Sequence, residues 1–295
     1  MKRDHHTVSK FYLAGFANES KQIRRIRLAN PEAAGNVSIS QASVVRDFYL
    51  LPTADGELTD GVENVFSEAE SDGARGIRAL VTDQEWQIRL VTRGRIAAWV
   101  ALQHLRSPAT RSIVGRAADA YVKERIIKGG REGLRELLDH GQEVKASEVE
   151  VDTAWAIYSD TDSFQLKARP VDHVAYIRDQ WRLLTEDLLL RPWEILHFEN
   201  SALVTCDHPV VWGPGTSESD FAGGVFIPMG RRVGLLMGVR QSDESGVTVD
   251  HLTLGTPAQA WLYNNWVIAT AWDEVFTHPN DADLTRGPLP PPRRR

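Results

Sequence analysis

Four groups of residues have the types and spacing to do chemistry. The first is Thr205, Cys206, Asp207, His208 and Pro209, set between the apolar runs Ala202-Leu203-Val204 and Val210-Val211-Trp212. The leading run predicts a strand that delivers these polar groups at its end, where Pro209 removes a backbone donor. Cys206 and His208 are two apart and share a strand face, as a thiol nucleophile and its base would need. The alternative for Cys206 is a buried structural thiol, because free cysteine packs as a small hydrophobe. The second group is Glu63 and Glu70, seven residues apart in a stretch of helical period. Both carboxylates then occupy one helix face, about 10 Å apart along the axis. They can flank one site but not chelate one ion side by side, and a solvated acidic stripe has the same spacing. The third group, Gln103, Arg106 and Arg111, surrounds Ser107-Pro108. Arginine there can hold a phosphate or carboxylate in a bidentate fork, or complement a helix terminus. His5 and His6 add imidazole at the start of the chain.

The elements that must position these groups follow from apolar period and turn residues. Phe11, Tyr12 and Phe16 can anchor the N-terminal segment on a core. Residues 22–28 and 37–39 predict a hairpin, with its turn at Asn30-Pro31 and residues 33–36. From Thr59 the period becomes helical, with Val62, Val65, Phe66, Ala69, Ile77 and Leu80 on one side and Gly73 interrupting it. A second helix runs from about residue 87 to 106 and bends or ends at Ser107-Pro108, since proline disfavours a helical residue before it. A third covers residues 111–127 and breaks at Gly129-Gly130, ahead of a polar stretch to about 147. Residues 171–190 predict a long helix, stopped by Arg191-Pro192, and 193–198 a strand. Beyond a Gly- and Ser-rich loop, 225–227 and 233–239 read as buried strands, Pro257 opens a helix through Asn264, and 269–276 forms a last strand. The fold class is therefore α+β, a helical middle packed with an N-terminal β-hairpin and a mainly β C-terminal part. Residues 1–285 form a single domain around one core, and 286–295 a Pro/Arg-rich flexible tail of polyproline II character.

Composition narrows the classes. A chain of 295 residues with 42% hydrophobic and 25% charged residues is ordinary for a globular protein with a sizeable core. A net charge of -6 argues against a protein that holds duplex nucleic acid over its whole surface, but leaves room for a local basic groove. A single cysteine excludes an internal disulfide and a cysteine-based zinc site. No secretory h-region and no membrane-length apolar run occur, so a cytoplasmic, non-membrane protein is expected. Neither G-x-G-x-x-G nor G-x-x-x-x-G-K-[ST] is present. His104, His140, His173, His197 and His251 have no partner spacing that assigns them a role.

The order of the pieces resembles the bacterial DUF4238 proteins, a domain family named for its unknown function. The resemblance rests on His5 and His6, Phe11-Tyr12-Leu13 and Phe16, Asp47-Phe48-Tyr49, and the Glu63/Glu70 pair. It continues through Ala101-Leu102-Gln103 to Arg106-Ser107-Pro108, Thr205-Cys206-Asp207-His208-Pro209-Val210, Phe226-Ile227-Pro228 and Asn264. The family more often has serine where Cys206 stands, which speaks against an essential thiol. No reaction comes with the family, but several of its motif positions coincide with the polar groups above. Two functions follow as expectations. One is a metal-dependent hydrolase or nuclease acting on phosphoesters: His5, His6, Glu63, Glu70 and Asp207 offer N/O ligands for a divalent metal ion, which would activate water. Glu63, Glu70, Gln103, Arg106 and Asp207 would be its catalytic set, with Gln103 and Arg106 orienting the phosphate, and nucleic acid or another phosphorylated ligand its partner. The other is a non-catalytic binding or regulatory module in which Glu63, Glu70, Arg106, Asp207 and Asn264 form a structural polar network.

Overall fold

The computed structural model describes residues 3–52, 58–59, 61–213, 223–239 and 250–293, and for 52, 58, 63 and 64 the backbone alone. It is α+β. The chain opens with strand β1 (Asp4–His6) and a short helix α1 (Lys10–Leu13), which buries Tyr12 and Leu13. Strands β2 (Gln22–Arg27) and β3 (Asn30–Ser38) form the expected hairpin, but its turn lies at Leu28-Ala29 and β3 runs through the segment read as turn. Pro31, which cannot donate to a ladder, is tolerated because β3 is an edge strand. Strand β4 (Val44–Arg46) pairs with β1, and β5 (Leu51–Pro52) with β6 (Leu58–Thr59).

The helical middle follows. Helix α2 (Val62–Ile77) packs on α3 (Leu90–Leu105), and glycine sets their distance: a Cβ on Gly73 would lie 2.5 Å from Trp99 Cγ, and one on Gly76 2.9 Å from Ile96. The residue that interrupts the apolar stripe is thus where the two helices touch. Helix α4 (Pro108–Asp139) starts on a Ser107 cap with proline in its first turn and kinks at Gly130, whose φ of 56° is open to glycine. Helix α5 (Glu148–Tyr158) was not expected, because Val149 and Ile157 are exposed and no apolar face marks it. The Ser147/Glu150 capping box was its available signal. Helix α6 (Pro170–Leu189) lies along α3, and Trp181 Nε1 donates to the Ala98 carbonyl at 2.8 Å.

The C-terminal part supplies β7 (Trp193–His197), β8 (Thr205–Cys206), β9 (Val211–Trp212), β10 (Val225–Gly230), β11 (Val233–Met237), β12 (His251–Leu254), helix α7 (Pro257–Thr270) and β13 (Glu274–Thr277). Five strands form a mixed sheet in the order β12-β7-β11-β10-β9, with β12 parallel to β7. Four more, β3-β2-β13-β8, form an antiparallel sheet that joins the N-terminal hairpin to the end of the chain. The strand expected at 202–204 is not part of a ladder. Leu203 N–H bonds the Arg231 carbonyl instead, and Asn264 from α7 accepts from Val204 N–H at 2.9 Å and donates to the Ala202 carbonyl. One side-chain amide thus satisfies a buried segment that lacks a neighbouring strand. A single buried apolar cluster runs from Val8 to Phe276 and includes Tyr12, Trp99, Trp193 and Phe226. The tail does not leave the body over its described length. Leu289 packs against the core, and Arg293 N–H reaches the Trp272 carbonyl while its Nη2 donates to the Ala269 carbonyl at 2.9 Å. Among the described residues no helix is long and apolar enough to cross a membrane.

Candidate functional site

The structure brings Glu70, Gln103 and Arg106 together. Arg106, at the C-cap of α3, extends its guanidinium toward α2: Nη1 reaches Glu70 Oε1 at 2.6 Å, and Nη2 donates to Ser9 Oγ at 2.7 Å and Gln103 Oε1 at 3.0 Å. Ser9 Oγ also takes Trp99 Nε1–H at 3.1 Å and donates to Glu70. Gln103 Nε2 donates to the Thr7 carbonyl at 2.8 Å. Tyr49 O–H caps the Arg106 carbonyl at 2.8 Å. Ser9 and Gln103 are fully buried and Arg106 is 2% exposed, while the Glu70 side chain keeps 29% of its surface. Ser9 is the member that sequence reasoning missed; a serine just before a short helix looks like a cap, and nothing local marks its four long-range partners, Glu70, Trp99, Gln103 and Arg106. The network ties α1, α2 and α3 to the N-terminal segment. It has a rim of one partly wet carboxylate and no accessible guanidinium.

The remaining candidates stand elsewhere. His5 and His6 alternate along β1. His5 is buried, and its Nδ1 accepts from Tyr49 N–H at 3.1 Å; its Nε2 has no partner among the described residues. His6 Nδ1 lies 3.2 Å from the Ala42 carbonyl. The Glu63 side chain lies outside the described residues. Asp207 is 4% exposed, and its carboxylate accepts backbone N–H groups of Trp272, Asp273 and Glu274 at 2.8, 2.8 and 3.2 Å. It closes the corner between α7 and β13 and does not join the Glu70/Arg106 group. Burial pushes its carboxyl group up to about 7, with the Trp272, Asp273 and Glu274 N–H groups pulling the other way. Among the described residues no three His, Cys, Asp or Glu side chains converge to hold a metal ion. The composite site of the hydrolase expectation is therefore not assembled by the described side chains.

The Cys206/His208 pair does not form a nucleophile and base either. Cys206 Sγ accepts the backbone N–H of His208 at 3.4 Å, and burial drives the thiol far above its ordinary value. The His208 ring instead faces His104 at 5.3 Å between centroids. Trp212 Nε1 donates to His104 Nδ1 at 3.3 Å. Desolvation lowers His104 to about 3 and His208 to about 4, so both rings are neutral, the half-buried His104 as well as the buried His208.

A different feature is open to ligands. A cleft of about 800 Å³ lies where β4, α4, the 165–168 segment and the end of the chain meet. Arg46, Arg111, Arg116, Lys167 and Arg293 line it, with Asp47 the one carboxylate. None of His5, His6, Glu70, Gln103, Arg106 or Asp207 does. Its wall is preformed. A Cβ on Gly115 would sit 2.9 Å from Ala168 N, so glycine lets the 165–168 segment lie directly on α4. Asp119 Oδ1 accepts from Leu166 N–H at 2.8 Å, and Arg111 Nε donates to the Ala168 carbonyl at 3.2 Å. Arg111 also donates to the Phe48 carbonyl and stacks over the Phe48 ring at 4.9 Å. Asp47 is held by Arg3, whose hydrogen bonds keep its carboxyl group below the usual range. The sequence shows Arg111 beside a helix break and Arg293 in a basic tail, but their convergence has no local signal.

No curated protein and no solved structure matches the chain. A family model described as a protein of unknown function, DUF4238, matches residues 4–281 of the 295-residue chain. The motif order, the α+β architecture and this near-complete match agree: the chain belongs to the DUF4238 family.

Proposed function

We propose that this protein is a non-catalytic binding module for a phosphorylated ligand, and that the Ser9/Glu70/Gln103/Arg106 network is part of its framework. The observation that supports this reading is the placement of the cations. Arg106 is 2% exposed and its guanidinium is taken up by Glu70, Ser9 and Gln103, whereas five other cations line one open cleft. A buried guanidinium whose Nη1 and Nη2 are both taken up by internal partners organises packing, with Nε left unpartnered among the described residues; accessible ones can recognise phosphate.

The test pairs calorimetric titration of inorganic pyrophosphate with thermal unfolding, for the wild-type chain and Glu70→Gln. The variant is expected to melt at lower temperature while binding pyrophosphate within about twofold of the wild type, a difference of roughly 0.4 kcal/mol. Loss of binding with unchanged stability would place the ligand at the network instead. Stoichiometric uptake of Mg, Mn or Zn together with phosphoester hydrolysis would favour the competing metal-dependent hydrolase, with His5, His6, Glu63, Glu70 and Asp207 as its ligands.

A further inference from the structure

We infer that the cationic cleft is built for a small molecule of nucleotide size carrying several clustered phosphates. This rests on the binding-module reading and specifies its ligand. Volume comes first: about 800 Å³ falls within the range of roughly 300–1,000 Å³ that encloses a single small ligand. Charge comes second. Five cations and one carboxylate leave a lining of four net positive charges, with Asp47 hydrogen-bonded by Arg3 and paired at 3.8 Å with Arg46. One phosphate group carries at most about two negative charges, so it leaves half of that lining unmatched; a triphosphate chain, at about four, balances it.

The donors are also arranged for phosphate. Arg111 is held by two backbone carbonyls through Nε and Nη1, which leaves Nη2 without a partner among the described residues. A guanidinium fixed before binding loses little freedom when a phosphate oxygen arrives. Arg116 and Lys167 are exposed and make no ion pair among the described residues. Arg293 approaches from the C-terminal segment, anchored by its own N–H and by Nη2. Ser112 and Gln165 add neutral hydrogen-bonding groups, and Val45, Pro108 and Leu166 an apolar floor that an organic moiety can cover.

The same lining disfavours a nucleic-acid strand. Strand binding without sequence preference uses exposed aromatic rings on which successive bases stack. The aromatic side chains here, Phe48 and Trp272, are 7% and 4% exposed and lie beneath Arg111 and Arg293. Their faces serve the arginines.

Calorimetry on the full chain at fixed ionic strength tests this with ATP, inorganic triphosphate, AMP and a ten-residue oligothymidylate. ATP and triphosphate are expected to bind saturably at one per chain, and AMP at least about tenfold more weakly. ATP tighter than triphosphate identifies a nucleotide; equal affinities identify the phosphate chain as the recognised group, and either supports the inference. Arg116→Ala/Lys167→Ala and, separately, Lys167→Glu are each expected to weaken ATP about tenfold or more, without lowering the melting temperature of the free protein. Unchanged affinity in both variants overturns the assignment, as does AMP binding as tightly as ATP. Oligothymidylate binding tighter than triphosphate overturns the inference but leaves a phosphate-binding module standing. Failure of every phosphate-bearing probe to saturate at millimolar concentration removes both.

Discussion

Arg106 has the side chain of a phosphate-binding arginine, yet it is 2% exposed, which supports the framework role proposed for it. Its guanidinium is enclosed by Glu70, Ser9 and Gln103, so removing it leaves a carboxylate and a serine facing each other without a donor fork. Arg106→Ala is expected to cost roughly 3 kcal/mol or more in urea unfolding, the range for breaking a buried charged pair from one side. Glu70→Gln keeps an accepting oxygen at a wet rim but removes the counter-charge of a 2%-exposed guanidinium, so a smaller loss of about 1–3 kcal/mol is expected. Equal and negligible effects of both variants would contradict the framework role. Asp207 makes a second prediction of known sign. Its folded carboxyl group is raised from 3.8 to about 7 by burial, so the native state holds a proton that the unfolded chain releases. That stability is fully present below about pH 4 and lost as pH rises through 7. The stability gap between wild type and Asp207→Asn should therefore be larger at pH 5.5 than at 7.5, in denaturation series at about those pH values. A gap independent of pH would show that Asp207 stays charged in the fold.

At the scale of elements, the contact between α2 and α3 is set by glycine against tryptophan. Gly73→Ala would drive a methyl into Trp99, whose indole N–H is tied to Ser9, so neither partner can move freely. A loss of roughly 1–3 kcal/mol in denaturant unfolding is expected, as for overpacked cores. Gly94→Ala, in α3 with nothing within 4 Å of the new methyl, is expected to gain about 0.5–1 kcal/mol through helix propensity. If the two substitutions behave alike, helix propensity and not the close approach governs Gly73. These elements also show what can be read locally. Phe66, Leu80, Ile96 and Trp99 are buried as their period predicts, since an amphipathic stripe is a local property, whereas Val65, read on the same side, is 52% exposed. Helix α5 and strand β12 escaped because most of their large apolar residues, Val149, Ile157, Leu252 and Leu254, face outward, with Val151 the buried residue of α5.

Across the whole molecule, the desolvated histidines His104, His173 and His208 bias stability against acid, the first half-buried and the other two buried. Burial lowers His104 to about 3, His173 to about 4 and His208 to about 4, each from 6.5. A depressed folded value means that the unfolded chain takes up protons first as pH falls. The contribution is complete above about pH 6.5 and drains away toward pH 4, opposite in sign to that of Asp207. His278 and several ion-paired or hydrogen-bonded carboxylates shift in the same direction and Asp207 opposes them, so the melting temperature is expected to fall steadily from about pH 6.5 to about 4.5, and His208→Asn should flatten the slope. A melting temperature that holds or rises across that interval would show that these rings are not held neutral.

Taken alone, the sequence determined the α+β class, the long helices around residues 90–105 and 170–189, the stop at Arg191-Pro192 and the family, because period, proline and motif order are carried along the chain. It also named Glu70, Gln103 and Arg106 within a larger composite set with His5, His6, Glu63 and Asp207, and of that set these three do meet. Only the tertiary structure decided what they meet and where they end. Arg106 pairs with Glu70 across 36 residues and with Ser9 across 97, while Asp207 is claimed by backbone N–H groups 65 to 67 residues away. Hydrogen-bond partners at such separations depend on how helices and sheets pack, and residue type does not encode burial. The cleft makes the same point in reverse: Arg46, Arg116, Lys167 and Arg293 are unremarkable in their own segments, and packing of α4 against residues 165–168 and the chain end turns them into one charged surface.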